Sequence, residues 1–187
     1  TSDTHFGDKI RASDTSGFAE FDAEIAANRL NYVITKASMI LRLHRQMYPI
    51  NDLYWGILGD ILHGELYDAL IANELHPASQ LDFGTEMMDM LFQNLSQLRQ
   101  EKVITGNIVV VFKPGNHPRL DVKMPLKRQA QRNLDGALYR TLYKLWKSKP
   151  GVQFVDDGDS PFSFVNIAGH RYCFAHSGGA SYVNNPD

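Results

Sequence analysis

The sequence predicts a layered α/β fold. Two apolar, β-branched or aromatic runs, 53–58 and 108–113, are separated by a segment of helical period, the order expected of a helix packed between strands. Both runs also stop at a glycine followed by a polar residue: Gly59-Asp60 after the first, Gly115-Asn116-His117 after the second. Buried strands therefore deliver oxygen and nitrogen donors at their carboxyl ends, where open α/β sheets keep their chemistry.

The bounds are ordinary. At 187 residues, 43% hydrophobic and 21% charged, the chain fits one soluble domain able to bury a core without disulfides. A net charge of -2 gives no global sign of a nucleic-acid or membrane partner. The single cysteine, Cys173, excludes an intramolecular disulfide and suits a reducing, cytoplasmic setting. No apolar run approaches the roughly 20 residues a membrane helix needs, and neither a repeat nor a signal peptide is present.

Taken in order, the chain opens with Asp3 and His5, which point the same way from an extended segment and can offer two ligands to one ion. Read alone, the pair is a frayed polar terminus. From about Phe18 to Met47, Phe21, Ile25, Leu30, Val33, Ile34, Ala37, Ile40 and Leu41 recur at three and four, predicting a long amphipathic helix with room for one break, ended by Pro49. The strand 53–58 follows. Residues 65 to 83 read as polar loop, with a short helix around Leu66 to Ala72, and Gly84 to Gln100 forms a helix whose Met87, Met88, Leu91, Phe92, Leu95 and Leu98 are core packing.

Beyond the strand 108–113, residues Arg119 to Lys149 hold nine basic side chains against Asp121 and Asp135, a local charge of +7. Leu134, Leu138, Leu142, Leu145 and Trp146 place a helix there. Its basic surface is either a solvated face or a phosphate-steering patch. The last third reads as sheet: 152–155, an Asp156–Asp159 turn, an alternating run 162–167, a two-residue Gly169-His170 turn, and a final strand that delivers His176 at its end, before glycines.

Asp3, His5, Asp60, Asn116 and His176 make a mixed oxygen and nitrogen set without a thiolate, suited to manganese, iron, magnesium or zinc in an open site. Each has a bland reading as well: Asp60 as a helix cap, Asn116 as a turn former, His176 as a satisfied core histidine. Those readings do not explain why all three follow strands.

In this order, Asp-x-His, Gly-Asp, Gly-Asn-His and a His-Ser-Gly-Gly turn, the motifs resemble the calcineurin-like metallophosphoesterase superfamily, over the span from Ser2 to Gly178. The finer pattern around Gly59 to Glu65, Gly115 to Arg119 and Gly169 to His176 is similar to phage and bacterial DNA-repair-exonuclease-like members. The resemblance implies one domain over 1–187 with two facing mixed sheets flanked by helices, a four-layer α/β/β/α sandwich. It implies two divalent cations, manganese first, with Asp3 and His5 on one, Asn116 and His176 on the other, and Asp60 bridging. A water between them would attack phosphorus in line while His117 protonates the leaving oxygen. Arg119 and Asn133 are candidate substrate contacts, and no membrane partner is expected.

The family's final Gly-His-x-His motif and a strand before Asp3 have no counterpart, so the sequence is expected to be part of a longer chain. Pro118 stands where many members carry an acid, leaving Asp3 or His63 to partner His117. The expected activity is phosphate-ester hydrolysis, as a DNA exonuclease or phosphodiesterase. The alternatives are a small-molecule nucleotide phosphatase and a non-catalytic scaffold.

Overall fold

The computed structural model describes residues 1–66, 73–122, 129–156 and 160–176. The short helix expected around Leu66 to Ala72, most of the Asp156–Asp159 turn, and the basic residues Lys123, Lys127 and Arg128 lie wholly or mainly outside them.

The fold is mixed α/β. Helix α1 (Ala23–Arg45) precedes strand β1 (Leu53–Leu58), and then α2 (Pro77–Gln100), β2 (Ile108–Lys113), α3 (Leu134–Trp146) and β3 (Val152–Phe154) alternate. A hairpin, β4 (Phe162–Ile167) and β5 (His170–Ala175), follows. The first three strands form a parallel sheet in the order β1-β2-β3, as helical crossovers require. The hairpin is a separate antiparallel sheet against β1 and β2. Each sheet is thus of one kind rather than mixed. The outer helical layer of a four-layer sandwich is not found among the described residues, and Phe164 is 53% exposed on the hairpin.

The core lies between the parallel sheet and the helices, gathering Leu30 and Ile34 of α1, Met88, Leu91 and Phe92 of α2, Ile108 and Val110 of β2, and Leu138 and Leu142 of α3. The methionine-bearing stripe of α2 is core, as its period predicts. Helix α1 begins later than expected, where the Asp22 carboxylate accepts from the Ile25 amide at 2.7 Å, and it is continuous. Its buried line is Ala26, Leu30, Ile34 and Ser38; Val33 and Ile40, expected inside, are about half exposed. Helix α2 begins seven residues before Gly84, with Pro77 in its first turn. Gly84 is inside the helix because it passes close to Leu62: a Cβ there would fall 2.5 Å from that side chain.

Two smaller corrections concern the turns. The hairpin turn is Ala168-Gly169, both at positive φ, and His170 is already paired with Ile167. The first residues are not frayed: the Asp3, His5 and Phe6 amides donate to the Gly59, Asp60 and Ile61 carbonyls at 2.8–3.0 Å, laying the segment alongside the end of β1.

Candidate metal centre

The parallel register puts Leu58 level with Lys113, so the chain leaves β1 and β2 side by side. The two exits are packed too closely for side chains. A Cβ at Gly59 would lie 2.6 Å from the Gly115 Cα, and one at Gly115 would collide with the Asp60 carboxylate. Glycine before each polar residue is therefore what lets Asp60 and Asn116 share one space.

Helix α3 clamps the two exits together. Asp135, fully buried, accepts from the Leu62 amide at 3.1 Å and the Gly115 amide at 3.0 Å. The Tyr139 hydroxyl donates to the Lys113 carbonyl at 2.9 Å and accepts from the Gly59 amide at 3.3 Å. Asn133 caps the helix by accepting from the Asp135 amide, and its NH₂ donates to the Gly115 carbonyl at 2.8 Å. Burial pushes the Asp135 carboxyl up to about 7, against the pull of those amides, and also raises the Tyr139 phenol well above its ordinary value.

Two donor groups meet at these ends. In the first, ligand atoms of Asp3, Asp60 and His176 all lie within 4.8 Å of one another. The His176 Nε2 is 3.0 Å from Asp60 Oδ2 and 2.9 Å from Asn116 Oδ1. Its Nδ1 is 2.7 Å from the Leu58 carbonyl, which can only accept, so that nitrogen carries a proton. Burial alone would raise the Asp60 carboxyl, but hydrogen bonds from the His176 ring and the His117 amide hold it below the usual carboxylate range. Burial likewise pulls His176 down, yet its bonds to Asp60 and Leu58 leave it above the ordinary imidazole value.

The second group is His5, His63 and His117, again within 4.8 Å of one another. The Nδ1 atoms of His5 and His63 are 3.3 Å apart, and the His117 ring meets His5 edge-on at 4.6 Å. Burial, then the neighbouring His117, lowers the His5 imidazole, with Asp60 opposing. The His117 amide donates to Asp60 Oδ1 at 2.8 Å, joining the two groups.

Backbone strain marks the same place. Asp3, His5 and Asp60 sit at φ of 54°, 46° and 51°, left-handed conformations that cost non-glycine residues about 1–3 kcal/mol each and cluster at functional sites.

The structure therefore gathers Asp3, Asp60, Asn116 and His176, and groups His5 with His117 instead. Arg119 braces the loop after His117: its guanidinium donates to the Asn116 carbonyl at 2.5 Å and to the Asp121 and Val122 carbonyls. Asn133, 3% exposed, holds the Gly115 turn; its place is structural rather than at the surface a substrate would meet. His63, weighed above only as a partner for His117, belongs to the site, as do Asp135 and Tyr139. The last two stand four apart at the head of α3, facing the strand ends, a spacing legible once the strands were placed.

The donors are of the kind and spacing that can hold a divalent cation. Two ligands at about 2.1 Å from one ion and at right angles are about 3 Å apart, the separation found between His176 Nε2 and its two oxygen neighbours. No protein-family model matches the chain, and neither the curated proteins nor the solved structures yield a match. No helix among the described residues is long and apolar enough to cross a membrane.

Proposed function

We propose that this chain is a metal-dependent phosphoesterase of the calcineurin-like type. The observation that carries the reading is the His176 ring: Nδ1–H is committed to the Leu58 carbonyl, and Nε2 converges with Asp60 and Asn116 oxygens. That is how a metal-ligating histidine is oriented from behind by a backbone acceptor. On this reading the parallel sheet and the hairpin are the facing inner sheets of a four-layer sandwich.

Asp60, Asn116 and His176 would hold one cation, and Asp3 with His5 a second, Asp60 reaching both; manganese is the first candidate, ahead of iron, magnesium and zinc. Such cations neutralise phosphate oxygens and make water nucleophilic at neutral pH. The chain supplies the rest. His117, fixed through its own amide to Asp60, is placed to give a proton to the leaving oxygen, with His5 and His63 packed about its ring. Asp135 and Tyr139 keep the Gly59 and Gly115 exits at their spacing.

The phosphodiester of DNA is the favoured substrate over a small nucleotide phosphate, because Arg140, Lys144, Lys147 and Lys149 are exposed on and just beyond α3. The test is hydrolysis of a bis-aryl phosphodiester by chelator-stripped protein, before and after manganese. Restoration of turnover by manganese is expected. Unchanged, absent turnover with no manganese bound would overturn the proposal.

A further inference from the structure

A cavity of about 790 Å³, within the size range of small-ligand sites, opens between β3, the end of β2 and the outer face of α3. It plays no part in the chemistry above. Four aromatic rings line it. Tyr139 and Phe112 stack at 4.4 Å and 8°, Phe154 continues the stack at 5.5 Å and 28°, and Tyr143 meets Phe154 edge-on at 5.2 Å. Three cationic side chains also line it: Lys113, whose Nζ donates to the Ser160 carbonyl at 2.8 Å, Arg140, anchored to the Ala130 carbonyl at 3.1 Å, and Lys147, whose Nζ lies 5.4 Å from the Tyr143 ring centroid; Asp156 is the acid among the lining residues. The third wall is β3, the last strand in the sheet order, with backbone groups on its outer edge.

We propose that this cavity is a nucleobase site. Three cations against the single acid Asp156 leave the lining net positive, which an apolar ligand would not balance, and a bare anion would leave the aromatic corner against water. A planar aromatic ring carrying phosphate satisfies both: the base stacks against Tyr143 and Phe154, and the cations meet the phosphate. The edge of β3 offers amides and carbonyls to the rim of the base. The lining residue Pro114 is followed directly by Gly115 and Asn116, so the cavity adjoins the proposed metal centre along the chain. This last step rests on the phosphoesterase reading; the base site itself does not. The ligand is a nucleotide, either free or within single-stranded DNA.

The test uses the whole chain, stripped of metal, so that binding is read apart from hydrolysis. Calorimetric titrations with deoxyadenosine monophosphate, deoxyribose 5-phosphate and a short oligothymidylate are compared in wild type, Tyr143→Ala and Lys147→Glu. Both positions are exposed and leave the core intact. Saturable nucleotide binding about tenfold tighter than the sugar phosphate, and weakened about tenfold in Tyr143→Ala, is expected. Tighter, salt-sensitive binding of the oligomer identifies the single strand as the source, and equal binding identifies the free nucleotide; both support the site. Nucleotide and sugar phosphate binding alike, or binding unmoved by Tyr143→Ala, would overturn it. Manganese-restored turnover alongside that failure would leave the phosphoesterase reading standing, and base binding without turnover would do the reverse.

Discussion

The oxygen-rich group of Asp3, Asp60, Asn116 and His176 and the imidazole group of His5, His63 and His117 meet at Asp60, which accepts from the His5 and His117 amides, yet they shift their histidines in opposite directions. In the first, the bond between Asp60 and His176 overcomes burial at both, holding the Asp60 carboxyl below its usual range and the His176 ring above its own. In the second, burial and then the neighbouring His117 lower His5, which favours its neutral ring. On the proposed reading the first is the place of a fixed charge and the second, through His117, of a moving one. The difference lies in the environment more than in residue type, since histidine serves in both.

Removing the fixed charge should have the largest effect. Asp60→Ala is expected to lower kcat/KM for an aryl phosphodiester by about 10³-fold or more and to abolish manganese binding. His117→Ala should lower kcat by about 10²-fold with manganese still bound, and the loss should shrink for esters with more acidic leaving groups, which need no proton. Equal loss of metal in both variants would dissolve the distinction between the groups.

The clamp that holds the groups in register is tested through stability. Asp135→Ala leaves the Leu62 and Gly115 amides without their acceptor, at about 1–3 kcal/mol each, measured by chemical denaturation. Its pH dependence has a definite sign. Folding raises this carboxyl from its ordinary 3.8 to about 7, so its contribution is complete below about pH 4 and is lost as pH rises through about 7. In Asp135→Asn, which cannot titrate, the melting temperature should fall less between pH 4 and 7 than in wild type.

The smallest effect should come from a helix cap that belongs to neither group. Asp22→Ala removes the α1 cap at a cost of about 1 kcal/mol and leaves turnover unchanged.

How much of this was legible in the sequence follows from what each residue depends on. Strand β2 and the strand-glycine-donor pattern could be read because local composition and period determine them; the strand 108–113 has the expected bounds. Helix α2 began earlier than read because Gly84 looked like a boundary, and only the approach to Leu62 explains it. The distribution of exposure along α1, where Val33 and Ile40 face out, depends on which neighbours cover the helix, and periodicity cannot supply that. Asp60, Asn116 and His176 could be assembled from three strand ends. His63 could not, because its role arises from a distance across 58 residues of chain, and the spacing of Asp135 and Tyr139 shows a shared helix face but not the Gly115 amide, 20 residues away, that Asp135 holds.

The most direct test of the account is manganese binding, followed by electron paramagnetic resonance, in wild type, His176→Ala, His63→Ala and His117→Ala. The account predicts saturable binding in wild type, weakened sharply in His176→Ala and retained in the other two. Absence of saturable binding in wild type, or its loss only with His63 and His117, would contradict the assignment of the cation to the oxygen-rich group.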